Sequence, residues 1–268
     1  MDTYLINLDR RPDRLAFIDA QLAQLGMPYT RISAADGSNP EEIGFPQDHP
    51  QISNMEYGCY LSHVKALKTF LQTDALQCMI LEDDIILATR TPAILRALND
   101  TPQRNAIIRL ECPNNKIWKL PIRVQKTPRQ IGPYPLVRLL SKTYGCAAYV
   151  ISRQVAQQFL DDHAEPKQPI DVVMFGIKYL KNMPEILQLE PPPAIQSLYY
   201  NTTAPVSIHD SDINASRAFR YIKGWEESGP LGRILRKGLY NVQNNPKRIA
   251  QYFYRKILAF RWFVYDPE

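Results

Sequence analysis

The stretch 78-CMILEDDIIL-87 runs from four apolar residues, Cys78 to Leu81, straight into Glu82, Asp83 and Asp84, then turns apolar again at Ile85, Ile86 and Leu87. Its first half has the continuity of a buried strand bounded by a polar stop. Three adjacent carboxylates at such a stop are costly. Two unit charges ~5 Å apart repel by a few kcal/mol at an effective dielectric near 20, and desolvation adds to this. Two arrangements relieve the cost. One is a solvated turn. The other is a divalent cation, which takes carboxylate oxygens as ligands.

The segments before this stretch prescribe its surroundings. Residues 3-TYLINL-8 read as a buried strand, and Arg10, Arg11 and Arg14 follow. Leu15, Ile18, Leu22 and Leu25 then recur at helical spacing, with Pro12 near the start and Gly26 just past the end. A second strand, 28-PYTRISA-34, is closed by 35-ADG-37. A strand–helix–strand unit of this length requires a crossover, which is right-handed in parallel sheets. After a polar loop at 37–52, Ser53 and Glu56 have the spacing of a capping box. Tyr57, Leu61, Val64, Leu67 and Leu71 continue as an amphipathic helix that leads to the Cys78–Leu81 strand. The order is β-α-β-α-β, with the carboxylates at the carboxyl end of a strand, the edge where open α/β sheets bind ligands.

Beyond residue 90 the pattern is mixed. A short helix at 92-PAILRAL-98 and a strand at 105-NAIIRLE-111 precede an irregular excursion over 116–141 that contains four prolines. The strand 144-YGCAAYVIS-152 leads into a helix from Ser152. Asp171 opens a helical stretch, 171-DVVMFGIKYL-180, and 186-ILQLE-190 is a short strand before the extended Pro191–Pro193 loop. No internal repeat or low-complexity segment is visible.

A chain of 268 residues, 45% hydrophobic and 22% charged, suits one large soluble α/β domain with an appendage. Residues 1–216 hold 21 Lys and Arg against 23 Asp and Glu, net −2, whereas residues 217–268 hold 11 against 4, net +7. The second segment interleaves those cations with Ile, Leu, Phe, Trp and Tyr. That composition fits basic amphipathic helices lying on an anionic membrane, or a helical appendage packed on the core with its charges in water. A domain boundary is therefore expected at 216/217. No leader and no spanning run of ~18 apolar residues is read, and no nucleic-acid partner is expected. The four cysteines, Cys59, Cys78, Cys112 and Cys146, have no CxxC spacing and read as buried free thiols of a cytoplasmic protein.

Four segments, 4-YLINLDRRPDRLAFIDAQLAQLG-26, 33-SAADG-37 with Ile32 before it, 55-MEYGCYLSHVKAL-67 and 79-MILEDDIIL-87, occur in the order and spacing of glycosyltransferase family 25, and the chain resembles that family. The resemblance is strong over 3–90, extends to about residue 212 through 144-YGCAAYVIS-152, 169-PID-171 and 207-SIHDSDI-213, and fades over the last fifth. It implies a GT-A-like fold, a single Rossmann-like domain with a mixed central sheet. It also implies a nucleotide-sugar donor, a divalent metal and inversion at the anomeric carbon, with Glu82-Asp83-Asp84 standing as the acidic motif of that fold.

From this follow residue expectations. A metal bridging the donor phosphates stabilises the leaving group as a Lewis acid, and Mn²⁺ or Mg²⁺ suits oxygen ligands. Asp84 is the first choice of ligand, and Glu82 is a further candidate. Glu82 and Asp83 are also expected to orient water or the donor's hydroxyls. His209 is a metal-ligand candidate, with Asp210 and Asp212 as competitors. Inversion requires a base on the acceptor hydroxyl. Asp171 is the candidate, although Asp at that place is also a good helix N-cap, and Glu111 is its rival. For the donor, Asn7, Asp9 and Arg14 surround the end of the first strand; the three arginines bind phosphate or pair with Asp9 and Asp13 at the surface. Asp36 meets uracil or ribose, or makes a plain Asp-Gly turn. Ser62 and His63 match the family motif, His63 equally as a core residue.

The expected activity is transfer of a hexose, galactose first, from a UDP-sugar to a lipooligosaccharide or lipopolysaccharide core acceptor, by an enzyme peripheral to the inner membrane. Two alternatives are a nucleotidyl- or sugar-phosphate transferase and a catalytically silent nucleotide- or glycan-binding module. The first lacks its usual glycine-rich phosphate loop in LDRRPDR, and the intact acidic triplet speaks against the second.

Overall fold

Alternate residues of the inner strands face two different cores. Tyr4 and Ile6 pack with Tyr60, Phe70 and Phe159 on one face, while Leu5 packs with Ile18 and Leu22 on the other. The same alternation divides Cys78 and Ile80 from Met79 and Leu81, and Tyr149 and Ile151 from Val150. Strands buried on both faces belong to a sheet with helices on each side. A computed structural model of the chain has this form. It describes residues 1–46, 51–112, 122–125, 128–141, 143–176, 184–200, 259–261 and 267.

The described elements are β1 (Asp2–Asn7), α1 (Pro12–Gln24), β2 (Thr30–Ser33), α2 (Asn54–Leu71), β3 (Gln77–Glu82), β4 (Ile85–Leu87), α3 (Thr91–Asp100), β5 (Ala106–Arg109), β6 (Ile122–Val124), β7 (Arg129–Ile131), β8 (Tyr134–Arg138), β9 (Ala148–Ser152), α4 (Arg153–His163), α5 (Ile170–Phe175), β10 (Glu185–Leu189), β11 (Ala194–Gln196) and β12 (Ala259–Arg261). The central sheet has eight strands in the order β2-β1-β3-β9-β5-β10-β8-β7. The β2, β1 and β3 neighbours are parallel, as the crossover pattern predicts. The sheet is mixed because β9 runs antiparallel to both β3 and β5. It is the Rossmann-like α/β architecture expected of a GT-A domain.

Local chemistry accounts for the helix starts. Pro12 occupies the first position of α1, where its missing N–H costs nothing. Ser53 accepts from the Glu56 amide at 3.3 Å while the Glu56 carboxylate accepts from the Ser53 amide at 3.0 Å, a closed capping box at α2. Each fully buried Leu or Ile of the two cores adds roughly 1.5–3 kcal/mol relative to its exposed state.

Two small pairings complete the description. β4 and β11 are antiparallel and carry Gln196 beside the acidic turn. β12 pairs antiparallel with β6, so Ala259–Arg261 are extended rather than helical. The rest of the expected helical segment at 217–268, apart from residue 267, lies outside the described residues, as do His209, Asp210 and Asp212. Among the described residues no helix is long and apolar enough to cross a membrane.

Candidate active site

The carboxyl ends of β1 and β3, the N-terminal half of α2 and the start of α5 enclose one cleft. Its empty space, open mouth included, is about 1100 Å³. Asn7, Arg14, Asp36, Ser62, His63, Glu82, Asp83, Asp84 and Asp171 all line it. The predicted triplet is therefore not a solvated turn: Asp83 and Asp84 are both buried.

The three carboxylates have different partners. Asp83 has partners within the protein, with Asn7 Nδ2 donating at 2.7 Å and Arg14 Nη1 at 3.3 Å, and these oppose but do not cancel the rise in its pKa that burial causes. Asn7 is itself held, its side-chain oxygen accepting from Arg31 Nε at 3.0 Å. Among the described residues no cation pairs with Asp84 in this way. Gln196 Nε2 lies 3.3 Å from its Oδ2, and burial, then the charges of Glu82 and Asp83, push its pKa up to about 8. Glu82 turns the other way, 3.1 Å from His63 Nε2 and 3.6 Å from Cys146 Sγ.

Arg14 is buried, and its Nε and Nη2 have no hydrogen-bond partner among the described residues. Arg11 pairs with Asp13, as one reading of the arginines held. Arg10 pairs with Asp36 at 2.6 Å, not with Asp9. Asp36 also accepts from the Ser38 amide at 2.9 Å, which makes it a turn former as well as a cleft residue. Asp9 is tied to Arg31 and Ser33 and does not line the cleft. The Ser33 hydroxyl, then Arg31, hold its pKa below the usual carboxylate range.

Close backbone approach sets the α2 wall. A Cβ on Gly58 would lie 2.6 Å from Ala35 O and 2.7 Å from Gly37 N, so the helix rests directly on the Ala35–Gly37 turn. Ser62 fastens this joint, accepting from the Ala35 amide at 2.9 Å and donating to Gly58 O at 2.7 Å. His63 is fully buried; its Nδ1 is 3.0 Å from the Tyr149 hydroxyl and the rings stack. Burial alone would lower its pKa, but hydrogen bonds to Cys59 and Glu82 outweigh that and raise it to about 9.

The opposite wall centres on Gly145, whose φ of +85° lies in the left-handed region. Its amide donates to Asp171 Oδ2 at 3.0 Å, and its carbonyl accepts from Arg109 Nη1 at 2.6 Å. A Cβ there would sit 2.8 Å from Glu111 Oε1. Asp171 falls in the first turn of α5, with Pro169 in the capping position, so it is not the N-cap. Glu111 lies behind this wall, outside the cleft lining, and accepts from the Ala147 amide at 3.0 Å. Burial, opposed by Arg109, raises its pKa to about 7.

Four contributors escaped the sequence reading. Gln196 and Arg109 act through tertiary pairings that leave no local mark. Cys59 stands four residues before His63 on α2, a spacing that does signal a shared helix face. Cys146 carries no such signal.

The comparisons with known proteins agree with this architecture. The family model described as "Glycosyltransferase family 25 (LPS biosynthesis protein)" matches residues 1–174. The chain is similar to the lacto-N-neotetraose biosynthesis glycosyltransferase LgtB of Neisseria gonorrhoeae, 25% identical over 249 residues that cover 82% of this chain and 85% of that one. It is also similar to the lipooligosaccharide biosynthesis protein lic2B of Haemophilus influenzae, 24% identical with 97% of each chain covered. A third relative, a glycosyltransferase 25 family member of Drosophila pseudoobscura pseudoobscura, is 30% identical over 95 residues, 31% of this chain and 15% of that one. With the family's pattern running through both walls of the cleft, this chain belongs to glycosyltransferase family 25.

Proposed function

We propose that the chain transfers a hexose, galactose first, from a UDP-sugar to a lipooligosaccharide core acceptor with inversion. The observation that carries the reading is Asp84. It is a buried carboxylate beside two others, served among the described residues by the Gln196 amide, in a cleft that also contains a carboxylate on its opposite wall. A divalent cation would keep Asp84 ionised without the desolvation cost, so the residues fit Mn²⁺ or Mg²⁺, with Asp84 as ligand. Such a cation supplies Lewis-acid stabilisation of the departing diphosphate.

The protein's own groups do the rest. The unpartnered Nε and Nη2 of Arg14 offer two donors to the diphosphate. Asp83 and Asn7 hold that guanidinium in place. Asp36 and the Ser62 joint form the side of the cleft that receives the nucleoside. Asp171 accepts the acceptor hydroxyl's proton as that oxygen bonds to the anomeric carbon and the bond to the diphosphate breaks. Hydrogen bonds from the Gly145 amide and from the Val172 amide at 2.9 Å orient the carboxylate. Glu111, behind the wall, supports Gly145 and Ala147 instead. The net charge of +7 over residues 217–268 supports a cytoplasmic enzyme bound peripherally to an anionic inner-membrane surface.

The test is UDP release from UDP-galactose, with and without acceptor glycan, across a Mn²⁺ titration. Turnover is expected only with the cation. Asp84→Asn should abolish the Mn²⁺ response, and Asp171→Asn should lower kcat roughly 10²–10⁴-fold with donor binding retained. Donor binding that ignores Mn²⁺, or full activity of Asp171→Asn, overturns the assignment.

A further inference from the structure

Cys59, His63, Glu82 and Cys146 form a second constellation that sugar transfer leaves unexplained. They come from α2, the end of β3 and the turn before β9, and their four donor atoms lie within 4.8 Å of one another. His63 Nε2 is 3.1 Å from Glu82 Oε1, and Cys146 Sγ is 3.6 Å from both of them. Cys59 Sγ is 3.9 Å from Glu82 Oε1. With Zn–S near 2.3 Å and Zn–N or Zn–O near 2.0–2.1 Å, a tetrahedral ion sets donor separations of about 3.3 Å for N to O, about 3.5 Å for sulfur to N or O and about 3.8 Å for sulfur to sulfur. The separations among His63, Glu82 and Cys146 lie within about 0.2 Å of those values, and Cys59 Sγ, 3.9 Å from Glu82 Oε1, would move in by about 0.4 Å.

A second feature points the same way. The other ring nitrogen of His63 is engaged by the buried Tyr149 hydroxyl at 3.0 Å, and the stacked rings, 5.8 Å apart, fix the imidazole plane. A metal-bound histidine is oriented in this manner, with one nitrogen held by a hydrogen bond and the other presented to the ion. A plain His63–Glu82 pair accounts for the 3.1 Å contact but not for two thiols from separate elements converging on the same two atoms.

We propose that Cys59, His63, Glu82 and Cys146 bind one Zn²⁺ in tetrahedral coordination, a site distinct from the oxygen-ligated cation of Asp84. Two thiols and an imidazole select a borderline-soft ion, whereas Mn²⁺ and Mg²⁺ favour carboxylates and water. Cys59 and Glu82 are only partly buried and line the cleft, which gives the ion a route in. Binding requires both thiolates and a neutral imidazole, so the protons that Cys59, Cys146 and His63 carry leave to solvent. The ion ties α2 to β3 and to the turn that carries Gly145, so it braces the two walls of the cleft against each other.

The full chain, purified under reducing conditions without chelator, should hold one zinc per chain by mass spectrometry of the metal. Replacement by Co²⁺ should give the near-ultraviolet thiolate-to-cobalt band and the intense visible bands of a tetrahedral ion. Tyr149→Phe should weaken zinc binding roughly 10- to 100-fold, and Cys146→Ser should weaken it further and reduce the thiolate band. Asp84→Asn should leave the cobalt spectrum unchanged, which separates this site from the donor-associated cation. The wild-type spectrum alone decides the matter if a variant does not fold. Cobalt bound without a thiolate band, zinc that is lost in Asp84→Asn, or thiols that react as freely with zinc as without it overturns the proposal, as does recovery of a Cys59–Cys146 disulfide that zinc does not prevent.

Discussion

The two walls of the cleft are built by opposite means. On the α2 side, Gly58 rests on the Ala35–Gly37 turn with no room for a methyl group, and Ser62 closes the contact with two neutral hydrogen bonds. On the Gly145 side, a buried Arg109 and a buried Glu111, 3.8 Å apart, clamp one turn from both directions and present Asp171 to the cleft. The Gly58–Ser62 joint of the first wall depends on steric fit and on groups that do not titrate. The second depends on charge in a dry place, where losing one partner costs more than the pair contributes.

This contrast can be tested by loss. The largest effect is expected from Arg109→Met, which strands Glu111 and frees the Tyr144 and Gly145 carbonyls. Denaturant unfolding should show a loss of roughly 3–5 kcal/mol. A variant as stable as wild type would mean that the charged clamp is dispensable. Gly58→Ala should cost roughly 1–3 kcal/mol by overpacking and should weaken donor binding more than it lowers kcat. Equal KM values for the two proteins would separate the helix joint from the nucleoside side of the cleft.

The pH response should come from the charged wall. The folded-state pKa of Glu111 is raised to about 7 from an ordinary value of 4.5, chiefly by burial. Its contribution to stability is therefore complete below the unfolded value and is lost as pH rises through about 7, at no more than about 1.4 kcal/mol per pH unit. In Glu111→Gln that part of the slope should vanish in unfolding measured between pH 4.5 and 8. An unchanged slope would assign it to other groups. The smallest effect is expected from Ser62→Ala, about 1 kcal/mol for the lost hydrogen bonds, with the same value at every pH in that range.

Much of the first wall was legible in the residues. The spacing of Leu15, Ile18 and Leu22, the Ser53/Glu56 box and the apolar run at Cys78–Leu81 are local, and local periodicity and caps survive into the fold. The YGCAAYVIS segment read as a strand, but its reversed insertion between β3 and β5 did not, since strand direction depends on what the strand pairs with. The triplet Glu82-Asp83-Asp84 looked like one acidic unit. Backbone alternation and the turn send its members to three settings: a thiol–imidazole cluster, an arginine, and a lone amide. Asp171 read as a base with a cap as the alternative, and the position of Pro169 ahead of it, with Gly145 against its carboxylate, removes the cap. Cysteine spacing in the chain predicted buried free thiols, whereas Cys59 is only partly buried, and nothing nearby hints that Cys59 and Cys146 meet across 87 residues of sequence.

Helix and strand order, the parallel first half of the sheet and the placement of acids at a strand's carboxyl edge followed from the residues alone, because each rests on interactions between near neighbours. Which acid receives Arg14, which receives the Gln196 amide, and which thiols converge on His63 depended on the folded molecule. Those outcomes are set by burial and by contacts between distant segments, and the free energy of a charge or a thiolate is fixed by its surroundings rather than by its place in the chain.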